Sequence, residues 1–265
     1  MISRADDLAD FSVAQRSWYG EAYPVYTLGS GPGVVVVHEV PGITPEVARF
    51  ARRVAAEGFR VYLPSLFGEP GRPFSLPYVA EQISRACVRR EFAVLAAKGS
   101  SPITHWLRAL CRDAHAECGG PGVGALGMCL TGNFALALMV DESVMAPVLS
   151  QPSLPFPIDR ERRAGLHLSE GDLACVRRRV KQDGVPVLGL RFTADRSCPS
   201  ERFDTLRTEL GAGFEAIEID SGLFNPHGIV PWAHSVLTND LIDEQGHPTH
   251  TALLRVLAFF RERLR

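Results

Sequence analysis

The chain has 265 residues, 46% of them hydrophobic and 22% charged, and a formal net charge of −2, a balance that suits one soluble globular domain with a substantial core. So neutral a chain offers no electrostatic footprint for nucleic acid or an acidic membrane surface, and neither is expected as a partner. The opening residues, MISRADDLADF, carry Asp6, Asp7 and Asp10 where a secretory signal carries an apolar stretch, so a cytoplasmic location is expected.

In chain order, residues 1 to 22 read as a loose or separately packed lead-in. Val34-Val35-Val36-Val37 is β-branched on both faces, as a central parallel strand requires, and a helical pattern over Val47 to Ala56 follows, closed by Gly58. Arg60 to Leu63 reads as a strand stopped by Pro64. Residues 75 to 97 and 102 to 117 read as two helices divided by the turn formers of positions 98 to 102. Cys118 to Val140 is uncharged, but Gly119-Gly120-Pro121-Gly122 and Thr131-Gly132-Asn133 break it into a strand at Val123 to Leu126, a turn, and a helix at Leu130 to Val140, not a membrane span. The Pro-rich stretch Gln151 to Pro157 is the best candidate linker. Strands at Pro186 to Phe192 and Phe214 to Ile219 flank a helix at about Glu201 to Leu210, and an amphipathic helix at Thr249 to Leu264 closes the chain. Strand and helix in alternation predict an α/β fold: a mostly parallel central sheet with helices on both faces, in a single domain spanning 1–265.

Six cysteines, at positions 87, 111, 118, 129, 175 and 198, include no CxxC pair, so reduced thiols are expected. One of them stands out. In Gly127-Met128-Cys129-Leu130-Thr131-Gly132 an apolar strand runs through a Gly-flanked cysteine into a helix, the layout of a nucleophile elbow. Cys129 at such a turn projects at a helix amino terminus, where backbone N–H groups favour a thiolate and stabilise an oxyanion. A buried cysteine in a Gly-rich turn fits the local motif equally well. Asp195 follows the strand ending at Phe192, where α/β sheets collect their catalytic groups, although a turn aspartate reads the same way. His227 and His234 lie in the loop before the last helix, and cysteine, acid, histidine is the chain order of α/β-hydrolases. Glu39, just past the Val34 to Val37 strand, belongs to the same sheet edge. The N–H groups of Val40 and Leu130 are the candidate oxyanion donors.

These segments together resemble the dienelactone hydrolase family from about Tyr26 to Leu264. VVVVHEVPGI is similar to its strand ending in a glutamate, Phe59 to Gly68 to its second strand and Pro-Leu-aromatic loop, Gly127-Met128-Cys129-Leu130 to its cysteine elbow, and Ala233-His234-Ser235 to its histidine loop. The resemblance implies an α/β-hydrolase fold and a Cys129, Asp195, His234 triad that opens a small ester or lactone through an acyl-enzyme. It also implies that Glu39 contacts the resting thiol and helps to deprotonate it when substrate binds. No metal or organic cofactor is implied. Two departures from the family stand out: Thr131 occupies the place of a second elbow glycine and adds bulk beside the helix start, which could shift Cys129 or narrow the pocket, and the residues after His234 lack the nearby arginine with which the dienelactone enzymes hold a substrate carboxylate. They motivate an alternative, a catalytically impaired member that binds a small ligand or partner. A glutamine amidotransferase-like enzyme is disfavoured because neither His227, His234 nor His247 is followed two positions later by an acid.

Other candidates are weaker. Cys111, His115 and Cys118 share one helix face, but three soft ligands without a fourth are better explained by packing than by zinc. His227 ranks second to His234 as the base, His247 stands behind both, and Arg177-Arg178-Arg179 reads as a solvated helix face.

Overall fold

The computed structural model describes residues 4–88 and 98–265. Eight strands form one sheet: β1 (Ser12–Trp18), β2 (Glu21–Leu28), β3 (Gly33–Val37), β4 (Arg60–Pro64), β5 (Val123–Met128), β6 (Val144–Ser150), β7 (Val187–Phe192) and β8 (Phe214–Ile219), in the order β1-β2-β4-β3-β5-β6-β7-β8. From β4 to β8 every pair is parallel, while β1 and β2 are an antiparallel addition at one edge. This corrects the reading of residues 1 to 22 as a lead-in. Residues 12–18 pair along their whole length with β2, and Arg16 reaches Asp113 and Glu117, at 2.8 and 2.6 Å.

The alternation of β3 explains the layers. Val34 and Val36 face one apolar cluster with α1 (Pro45–Ala56) and α8 (Pro248–Leu264), whereas Val35 and Val37 face another with α3 (Ile103–Cys118) and α4 (Phe134–Leu138). All four valines are fully buried, as a strand sandwiched between helical layers demands. Helix α1 starts at Thr44, whose hydroxyl accepts from the Val47 N–H at 3.3 Å. Helix α2 (Leu76–Val88) fills the first part of the expected 75–97 helix, and the remainder lies outside the described residues. A short helix, α5 (Arg160–Ala164), and the longer α6 (Glu170–Lys181) precede α7 (Ser200–Leu210).

Three sequence expectations change here. The helix expected from Leu130 is a turn of 3-10 helix at Cys129–Thr131 followed by the short α4, because Gly132 and Asn133 interrupt it. The Pro-rich segment is no linker: Gln151 to Pro155 is buried behind the sheet's rim. Arg202, itself fully buried, fastens it there by donating to the carbonyls of Pro152 at 2.6 Å and Pro155 at 2.7 Å. Arg179 does not lie on a solvated face, because its guanidinium turns inward and caps the carbonyls of Met139 and Val144, at 2.8 and 3.0 Å. A buried guanidinium needs such acceptors, and the carbonyls just past α4 and at the start of β6 need donors. No helix among the described residues is long and apolar enough to cross a membrane.

Candidate active site

The carboxyl ends of five adjacent parallel strands deliver the site. Past β3 come His38 and Glu39, past β5 Cys129, past β6 Gln151, past β7 Asp195, and past β8 the loop that carries His234.

Cys129 holds φ +52°, a left-handed conformation that a non-glycine residue adopts only when its surroundings enforce it. The enforcement is visible. A Cβ on Gly127 would stand 2.1 Å from the Thr131 carbonyl oxygen, and one on Gly132 would stand 2.4 Å from Pro152 Cα, so both places must be glycine. Thr131 does not crowd the cavity, contrary to the sequence expectation. Its side chain points away from the mouth, where Oγ1 accepts from the Met128 N–H at 3.0 Å and lies 3.0 Å from Val37 O and 3.1 Å from His38 O. It ties the elbow to the end of β3.

Asp195 and His234 meet, with Nδ1 of the imidazole 2.7 Å from Oδ2 of the carboxylate. The other carboxylate oxygen accepts the Ser197 N–H at 2.8 Å, which fixes the aspartate's orientation. The histidine loop is itself pinned: Asp240 accepts the N–H groups of His234 and Ser235, both at 2.8 Å. Burial lowers the pKa of His234, but the charge on the neighbouring Cys129 sulfur and the hydrogen bond to Asp195 outweigh it, and the imidazole holds its proton well above the usual histidine range. Burial pushes Cys198 up to about 12 and Cys111 higher still, as expected of inert core thiols.

Glu39 does not partner the thiol as the resemblance implied. Its carboxyl accepts from Ser235 Oγ at 2.8 Å, Gln151 Nε2 at 3.2 Å and the Thr238 hydroxyl. Those hydroxyls satisfy a fully buried acid whose pKa is raised by burial and only partly lowered by Thr238 and Ser235. Thr238 and Gln151 were not singled out from sequence. Gln151 sits just past β6, a position equivalent to those of Glu39, Cys129 and Asp195 on their strands, but Pro147 masked that strand.

A cavity of about 450 Å³ opens in front of Cys129, bounded by Glu39, Val40, Leu130, His234 and Ser235, with an apolar wall from α2. The two candidate oxyanion donors, Val40 and Leu130, thus border the same space as the sulfur. A neighbouring hollow, lined by Asp195, Arg196 and Pro231, shares Ser197, Trp232 and His234 with it.

His227 is not brought to this site. It packs against His247, ring centroids 5.5 Å apart, and faces a separate hollow between β8 and α8. His247 caps α8, accepting from the Thr249 N–H at 3.3 Å. His115 contacts the Gly120 carbonyl, Cys118 the Tyr62 hydroxyl, and among the described residues no three side chains converge as metal ligands. The outer part of the His234 loop, residues 222–229, closes on Asn225, whose amide donates to Gly222 O and Ile229 O at 2.7 Å and accepts from Ile229 N at 2.9 Å.

Comparison with known proteins adds the following. The model of the dienelactone hydrolase family matches residues 21–262. A Saccharomyces cerevisiae protein named "Putative carboxymethylenebutenolidase" is 27% identical over 205 residues, which covers 73% of this chain and 69% of its own. Dienelactone hydrolase from Anabaena variabilis superposes with a TM-score of 0.60 at 14% identity, over 96% of this chain and 98% of its own. A dienelactone hydrolase-like promiscuous phosphotriesterase from metagenomic libraries superposes with a TM-score of 0.61 at 18% identity, also over 96% and 98%.

Proposed function

The chain belongs to the dienelactone hydrolase family and is a hydrolase of ester or lactone bonds, and from that premise we propose that Cys129 is its nucleophile, His234 its acid and base, and Asp195 the orienting carboxylate. The observation that carries this reading is the position of one imidazole, 2.7 Å from a buried carboxylate on one side and facing the sulfur of a strained elbow on the other.

The chemistry runs in two halves. The sulfur attacks the carbonyl carbon while the N–H groups of Val40 and Leu130 receive the negative oxygen. As the tetrahedral intermediate collapses, the C–O bond to the leaving group breaks and the His234 imidazolium gives its proton to the departing oxygen. The raised pKa of His234 suits it to be that donor. Acylation of the sulfur removes one of the interactions that held the proton on His234. The imidazole is then neutral and can take a proton from water, which attacks the thioester, breaks the C–S bond and releases the acid. Asp195 keeps Nδ1 as the donor side throughout, so Nε2 serves the reaction. Glu39, through Ser235 and Thr238, positions the histidine loop.

The alternative of an impaired, ligand-binding member loses one motive, since the Thr131 side chain braces the elbow and leaves the cavity clear. The test is hydrolysis of an activated aryl ester such as p-nitrophenyl butanoate. Cys129→Ala and His234→Ala should abolish turnover above background while His227→Ala leaves it within a few-fold. Equal rates for wild type and Cys129→Ala overturn the assignment.

A further inference from the structure

The cavity in front of Cys129 joins two kinds of lining. Beside Cys129 and His234 stand the apolar side chains Phe74, Leu76, Val79 and Ile83, together with Phe156 and Trp232. Several of these are large apolar side chains left open to solvent: Leu76 is 75% and Trp232 79% exposed. Leaving such surface wet around a concave site is unfavourable unless a ligand covers it. Besides Cys129 and His234, the ionisable groups that border the cavity are Glu39 and Asp240, and none of its described lining residues is an arginine or lysine; Arg196 lines the adjoining hollow. Thr238, whose hydroxyl is committed to Glu39, stands in the uncharged segment Ser235 to Thr238 that follows His234.

Resting on the reading of Cys129 as nucleophile, we propose that the substrate of this site is an ester or lactone whose acyl portion is apolar and uncharged, held by the wall that α2 supplies. A carboxylate on the acyl portion would meet an apolar wall with no arginine or lysine among the described lining residues, and an anion gains nothing by leaving water for such a surface. A methylene, by contrast, gains by leaving water at that wall.

The experiment compares kcat/KM of the full-length protein for p-nitrophenyl butanoate, p-nitrophenyl heptanoate and the p-nitrophenyl monoester of adipate, which matches heptanoate in length but ends in a carboxylate. Each rate is normalised to alkaline hydrolysis. The heptanoate is expected to exceed the butanoate by up to about fourfold per added methylene, and the adipate monoester to fall at least about 30-fold below the heptanoate. Leu76→Arg, a change at an exposed position, should narrow the gap between adipate and heptanoate by raising the former and lowering the latter. Comparable rates for adipate and heptanoate, or no gain from butanoate to heptanoate, overturn the proposal while Cys129-dependent hydrolysis keeps the proposed nucleophile standing. Hydrolysis of all three that survives Cys129→Ala overturns both.

Discussion

Replacing Asp195 by asparagine tests the relay most sharply, because the geometry dictates how the new side chain must sit. One carboxylate oxygen accepts the Ser197 N–H at 2.8 Å and the other faces Nδ1 of His234 at 2.7 Å. An amide has one oxygen, and that oxygen is claimed by the Ser197 N–H, since an NH2 turned toward it would set donor against donor. The amide nitrogen then faces His234 and forces Nδ1 to accept. The proton moves to Nε2, the wrong tautomer for receiving a proton from water, and the imidazolium loses one of the groups that hold its charge. With shape and packing preserved, kcat/KM should fall about 10³- to 10⁴-fold, or about 4 to 5.5 kcal/mol of transition-state stabilisation. Aryl ester hydrolysis followed from pH 5 to 9 provides the assay, with thermal unfolding as the check on folding. The alkaline limb of the profile should also move to lower pH, since His234 releases its proton more readily. A variant that retains about a tenth or more of wild-type kcat/KM refutes the relay.

Thr131→Val keeps the volume of the side chain but strips the elbow of its tie to β3, leaving the buried Met128 N–H without the hydroxyl that accepts it. Urea denaturation should show a loss of about 1 to 3 kcal/mol, accompanied by lower kcat because Cys129 is released from its strained turn; unchanged stability and unchanged kcat would refute the bracing role. A further outcome concerns acid. Burial lowers the pKa of His38 to about 4, and its ring is committed at both nitrogens, to the Glu39 carbonyl at 2.9 Å and the Leu66 N–H at 3.1 Å. In this window the unfolded state binds the extra proton, so the folded state should lose up to about 3 kcal/mol as pH falls from about 6.5 to about 4. His38→Gln should flatten that part of the stability curve; an identical slope in both proteins would exclude His38 as its source.

The parts of the site that were legible in sequence share a trait: each follows a strand whose apolar run is plain locally. Val34 to Val37 announces Glu39, the Gly127 to Gly132 pattern announces Cys129, and Val187 to Phe192 announces Asp195. The contacts that hold these residues were not legible, because they depend on partners far away in the chain. Gln151 lies 112 positions from the Glu39 it donates to, and Thr131 lies 94 from Val37. Pro147 hid β6, although a proline can be accommodated in a strand where its missing N–H is not called on. Arg179 and Arg202 defeated a reading by charge alone, since a guanidinium aimed at a cluster of carbonyls is as well satisfied in the interior as in water.

The span that carries His234 has an unequal construction with an evolutionary corollary. Its inner part is pegged by Asp240 and Glu39, whereas the outer part, residues 222–229, is a knot tied by Asn225 to its own backbone. The exposed positions of the knot, such as Leu223 and Phe224, can therefore drift without dislodging the imidazole, while Ile229 stays anchored in the core. Trp232 stands at the junction of the two parts and borders the entrance, so a lineage could retune what it admits by rewriting a surface turn while the proton-handling machinery is inherited intact.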